Sequence, residues 1–175
     1  MKNRYLFLII TLLILPAMVF AKKIDKAAYI SSWAAYEVTT TQVGQNGTKL
    51  LKVWGFGKNV DAAIQQAKMN AVHACLFRGC PGSATARETP AIFKNQGSGQ
   101  VASDNFEYFY NFFEESGEYI SFVNMTTDGV PSGQDRRKVK GGYKVGIDVQ
   151  VMYDNLRDKM KNDGLLKNAA GGFSY

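Results

Sequence analysis

Residues 52–80, KVWGFGKNVDAAIQQAKMNAVHACLFRGC, decide the fold. Projected at helical pitch from Val60, the side chains of Ala63, Ile64, Ala67, Ala71, Ala74 and Cys75 join it on one stripe, the i, i+3, i+4, i+7 recurrence of a helix packed on another element. The stripe is nearly all small. Alanine loses no side-chain entropy in a helix and lets the axis lie close to its partner, so the expected partner is a sheet that brings its own bulky residues. Asn59 is placed to cap the first turn and Gly79 to end the last. Met69, Val72 and Leu76 gather on the opposite side toward the end of the helix, which calls for cover from a second direction.

Upstream of this helix, residues 29–43 are rich in Thr, Val and Tyr and read as a half-exposed strand. Gln45-Asn46-Gly47 supplies a hairpin turn, because Asn-Gly tolerates positive φ at both central positions. The partner strand, 49–56, sets Leu51 and Val53 on one face and Leu50, Trp54 and Phe56 on the other. Gly55-Phe56-Gly57 before a helix invites comparison with a dinucleotide fingerprint, but Val60 stands where the third glycine is needed. Lys58 is followed by Asn59, not by the Ser or Thr of a phosphate loop, so the two glycines read as a hinge between strand and helix.

Downstream, residues 81–102 hold Pro81, Pro90 and many small residues without a period, and read as a long surface loop pinned by Ile92 and Phe93. A second helix is expected over 104–116, capped by Ser103 or Asp104 and stopped by Gly117. A strand over 119–125 and a polar connection over 126–138 follow. In 143–153, Tyr143, Val145, Ile147, Val149, Val151 and Tyr153 alternate with more polar residues, the pattern of a strand with one core face. A last helix over 154–163 points Leu156 and Met160 inward and ends at Gly164. The order β-β-α-α-β-β-α groups strands and helices separately, which favours a two-layer α+β domain with an antiparallel sheet over a parallel α/β sheet.

The first 21 residues combine Lys2 and Arg4, an apolar run over 6–15, Pro16 and a small-x-small-like site ending at Ala21, the pattern of a secretory signal peptide. Residues 22–167 are expected to form a single domain and 168–175 a flexible tail. Export to the periplasm or the medium follows. No cysteine lies at the cleavage site, so a lipid anchor is not expected. Removal of the signal takes away Lys2 and Arg4 and lowers the formal charge from +6 to +4, a mild basic excess that suits anionic surfaces without indicating nucleic acid. Cys75 and Cys80, close in sequence with Gly79 between them, are expected to pair as a disulfide in preference to two reduced thiols, since an exported chain meets oxidising conditions.

Candidate chemistry is sparse. His73 is the only histidine, projects away from the alanine stripe and is expected to be half exposed. A small secreted enzyme built on it is the weakest of three functional readings, because neither a base-orienter pair nor a metal-ligand set accompanies it. Glu114, Glu115 and Glu118 read as a solvated helix end. No catalytic residue, metal or cofactor is expected. Arg136, Arg137, Lys138 and Lys140 form the one basic run, a candidate for contact with an anionic membrane or glycan surface. In the aromatic helix, Phe106, Phe109, Tyr110 and Phe113 share one stripe, whereas Tyr108 and Phe112 fall nearly opposite. That second pair needs cover, either from the 81–102 loop or from a partner protein, and in the latter case Tyr108 and Phe112 are the anchors.

The order of these features resembles an envelope family, the N-terminal domain of the flagellar assembly protein FlgT with its relatives among small exported lipoproteins and the curli-secretion lipoprotein domain. The residues that carry the resemblance are Gly55 and Gly57 at the strand end, Ala63, Ala67, Ala71 and Ala74 on the helix, Gly117 before the 119–125 strand, and the 143–151 strand. It implies a non-enzymatic part of an envelope assembly that works through protein contacts, without cofactors. The chain departs from the lipoprotein members in lacking the lipidated cysteine, and from the flagellar member in lacking further domains.

Overall fold

A computed structural model describes residues 36–167; the expected signal peptide over 1–21, the first part of the expected 29–43 strand and the expected tail over 168–175 lie outside the described residues. The domain is an antiparallel sheet with helices packed on it, the α+β architecture that the grouping of strands and helices predicts. β1 (Val38–Gln42) and β2 (Lys49–Gly57) form the first hairpin, with Val38 opposite Val53 and Thr40 opposite Leu51. Asn46 and Gly47 take φ of 50° and 71°, the two positive values that a tight two-residue turn requires and that Asn-Gly tolerates.

α1 (Val60–His73) follows the hinge at once. The Asn59 side chain accepts a hydrogen bond from the Ala62 N–H at 2.8 Å, which supplies the expected cap. Ala63, Ala67, Ala71, Ala74 and Cys75 are fully buried. Their closest partner is not a bulky residue. A Cβ added at Gly55 would lie 2.1 Å from the Ala63 carbonyl oxygen, and one added at Gly57 would lie 2.3 Å from the Ala63 nitrogen, so backbone meets backbone at the crossing. The bulky residues flank that contact: Leu51 and Val53 from β2, and Val145, Ile147, Val149 and Val151 from the central strand. Asn70 is buried on the same helix, and its Nδ2 donates to the Trp54 carbonyl at 2.9 Å.

The helix continues through a π-helical turn, Ala74–Arg78, closed by the Gly79 N–H donating to the Ala74 carbonyl at 2.7 Å. Carbonyls left over by that wide turn are taken up by the next segment, since the Ile92 and Phe93 N–H groups donate to Cys75 and Leu76. This same segment helps supply the second-side cover that Val72 and Leu76 call for, and both are fully buried.

Residues 81–102 are more ordered than their composition suggests. Cys80 and Thr89 form an antiparallel bridge, and Thr85 Oγ1 donates to the Thr41 carbonyl at 3.2 Å, tying the segment to β1. Phe93 is fully buried as expected. A separate helix, α2 (Ser98–Asp104), takes the end of the stretch read as loop, and the helix expected over 104–116 is shorter, α3 (Phe106–Phe112), with a break at Asn105 between them. Neither Ser103 nor Asp104 is a cap. Ser98-Gly99 is a poor helix start by propensity, and burial of Val101 and Ala102 is what holds that turn in place.

Of the expected 119–125 strand, only β3 (Val123–Met125) pairs; the preceding Glu118–Phe122 is a 3-10 turn that buries Tyr119. β4 (Arg136–Val139) and β5 (Gly142–Val151) form the second hairpin. β5 is the spine of the sheet. It pairs with β2 along its whole length, from Tyr143 opposite Gly57 to Val151 opposite Lys49. Its other edge is shared by β3 at the Val149–Val151 end and β4 at the Gly142–Val145 end. α4 (Tyr153–Asn162) closes the domain with Leu156 and Met160 fully buried.

Candidate functional site

His73 closes α1 and is half-buried, in keeping with its projection away from the alanine stripe. Its Nδ1 pairs with the Tyr36 hydroxyl at 2.7 Å, and its ring packs against Tyr36, Phe77 and Phe113 at centroid distances of 5.5, 5.0 and 6.2 Å. Burial, with the Arg78 guanidinium as a second cause, lowers its pKa to about 3. The ring is therefore neutral throughout the physiological range, and Arg78 also donates to the Tyr36 carbonyl at 2.7 Å. A general base is most effective with a pKa near the working pH, which this imidazole does not have.

The expected Cys75–Cys80 disulfide is corrected by the geometry. The two sulfurs stand 3.6 Å apart as free, buried thiols, well beyond the roughly 2.05 Å of an S–S bond. The contact with Cys80 and then burial push the Cys75 thiol up, so it is held protonated. The pair lies at the foot of the Cys80–Thr89 bridge and packs as small hydrophobes.

Tyr108 and Phe112 are covered from within. Phe112 is 3 % exposed, stacked on Tyr108 at 5.9 Å and on Phe122 at 6.1 Å, while the Tyr108 hydroxyl donates to Asp163 at 2.5 Å. The cover is the 3-10 turn before β3 and the end of α4, two segments far along the chain. Phe93, from the 81–102 segment, packs instead on Phe77 and Phe109. Phe112 is thus withdrawn as a partner anchor: a ring already buried in the domain has no apolar area left to contribute to an interface. Glu114 and Glu115 are solvent-exposed, and Glu118 pairs with Lys159 at 3.0 Å.

Three members of the basic run, Arg136, Arg137 and Lys138, lie on a strand and not in a polar connection, and Lys140 lies in the turn that follows. β4 pairs Arg137 with Lys144 and Lys138 with Tyr143, and Arg136, Arg137, Lys138 and Lys140 are all exposed. Through β5 this strand adjoins the outer face of β2, where Trp54 and Phe56 stand. Trp54 lies flat on the sheet: a Cβ added at Gly146, directly across from it, would be 3.0–3.1 Å from its ring atoms. Lys144 Nζ and the Arg137 guanidinium stand over that ring at 5.1 and 5.8 Å from its centre. Phe56 is 51 % exposed, with its ring reaching the Gly141 turn. Lys52 is held by Asp135 at 2.6 Å and Asp148 at 3.5 Å, and Lys144 by Glu37 at 2.6 Å. The signal for Trp54 and Phe56 was present in the alternation of β2; what the sequence lacked was the placement of β4 beside them.

No protein-family model matches the chain, and neither the curated proteins nor the solved structures include a significant match.

Proposed function

We propose that this chain is an exported, non-enzymatic binding module of the bacterial cell envelope, acting by surface contact, with the outer face of its sheet as the contact surface. One observation carries the reading: Trp54 and Phe56 stand beside Arg137 and Lys144, with Lys140 in the adjoining turn, on a face where, among the described residues, none of Lys52, Trp54, Phe56, Lys144, Asp148 and Gln150 is fully buried. An aromatic pair ringed by cations has the composition of a recognition surface, which a purely solvated sheet face does not need. The non-enzymatic part of the reading is supported by the neutral, aromatic-packed state of His73. The signal-like first 21 residues and the resemblance to envelope assembly domains support the compartment and the class of role.

The test is site-specific photocrosslinking in cells. A crosslinking side chain at position 56 is expected to give an adduct with an envelope component, and one at position 112 to give none. Processed chain should begin at Lys22. Adducts at 112 with none at 56, or retention of residues 1–21, overturn the reading.

A further inference from the structure

We propose that the β4–β5 hairpin end of the sheet docks on an anionic lipid bilayer; this rests on the outer face being the contact surface and names its occupant. Three observations converge there. Arg137, across from Lys144 on the outer face, and Lys140, in the turn that follows β4, are exposed, and Lys58 joins them, because a Cβ on Gly142 would lie 3.1 Å from the Lys58 Cα; Arg136 and Lys138, across from Val145 and Tyr143, belong to the opposite face of this edge strand. Among the described residues none of Lys58, Arg137 and Lys140 makes an ion pair, whereas the cations nearer the middle of the face, Lys52 and Lys144, are neutralised by carboxylates. On this face, the charge that remains for a partner is therefore concentrated at one end.

Two of the exposed large apolar side chains lie at that same end. Phe56 is 51 % exposed and Val139 37 % exposed, and register places both on the outer face, Phe56 across from Lys144 and Val139 across from Gly142. Apolar tips ringed by lysine and arginine suit a bilayer boundary, where the rings enter the headgroup region and the cations meet lipid phosphates. A glycan fits less well. Sugar rings stack on an open aromatic face, and Trp54 has one face on Gly146 and cations over its ring.

A second role for cations on β4 is protection of an exposed edge strand against pairing with another chain. The two roles separate by sign: either charge blunts an edge, but only positive charge binds an anionic bilayer. The processed protein purified from cells should sediment with vesicles containing phosphatidylglycerol and not with phosphatidylcholine vesicles, and its binding should fall steeply as salt rises from low to high ionic strength. Combined Lys58→Glu, Arg137→Glu and Lys140→Glu should reduce binding about a hundredfold or more while the protein stays monomeric with its melting temperature kept. Phe56→Ser should weaken binding severalfold and leave the salt dependence unchanged. Equal binding to both vesicle types, salt-independent binding, or full binding by the triple glutamate variant overturns the proposal. The two vesicle types and the salt series use the unaltered protein, so they decide even where a variant fails to fold. Absence of vesicle binding together with a position-56 adduct to an envelope protein removes the lipid occupant and leaves the contact surface standing; absence of both removes the two together.

Discussion

The two faces of β2 are built from alternate residues of one nine-residue strand, and they behave as opposites. Inward, Gly55 and Gly57 let the backbone of α1 come into direct contact, with Leu51 and Val53 filling the flanks. Outward, Trp54 and Phe56 carry the largest side chains of the strand and are left half-buried and exposed. Large aromatics face out and glycine faces in, the reverse of the usual distribution by size. The inner face is limited by distance: an alanine-faced helix at this separation has no room for a Cβ. The outer face has no such limit, so its residue choice is free to serve contact with something else.

This contrast is broken most severely at Gly55. Gly55→Val must displace the Ala63 carbonyl, and we expect a loss on the order of 3 kcal/mol or a failure to fold, read from the urea midpoint. Phe112→Ser should cost ~3 kcal/mol or more, because it empties a site enclosed by Tyr108, Phe113 and Phe122; a near-unchanged melting temperature would return that ring to the surface.

Acid gives the next largest effect. His73 titrates near 6.5 when unfolded and at about 3 when folded, so the unfolded chain binds more protons between those values. Stability is undiminished above about 6.5 and falls as pH is lowered toward about 3, with a slope of at most ~1.4 kcal/mol per pH unit from this group. His73→Phe should flatten that part of the pH profile relative to the parent, and an unchanged slope would show that the imidazole is not enclosed. Asn59→Ala removes the bond to the Ala62 N–H and should cost ~1 kcal/mol by thermal melt. Smallest of all, Phe56→Ser should change stability by no more than about 0.5 kcal/mol, and a larger loss would make the outer face part of the core.

Elements whose cause is local were legible in advance. The alanine stripe, the Asn59 cap, the Asn-Gly turn and the alternation of Val145, Ile147, Val149 and Val151 each express a backbone period or a dihedral preference that neighbouring residues set by themselves. The α2 turn was not legible, because Ser98 and Gly99 argue against a helix and only distant packing of Val101 holds it. The Arg136–Val139 strand was hidden for a similar reason: four residues, three of them cationic, become a strand through hydrogen bonds to β5 and not through their own propensity.

By itself, then, the sequence determined that this chain is a two-layer α+β domain with a small-residue helix against an antiparallel sheet, since periods of 2 and 3.6 select which side chains share a face. Tertiary structure alone decided which of the surplus aromatics is buried. Phe112 finds Phe122 above it, Phe56 finds only the Gly141 turn, and Arg137 is brought onto the face of Phe56 by the β4–β5 pairing. A helical or strand period fixes the direction in which a side chain points, but the segment that meets it there comes from elsewhere in the chain, and its arrival depends on how the whole sheet closes.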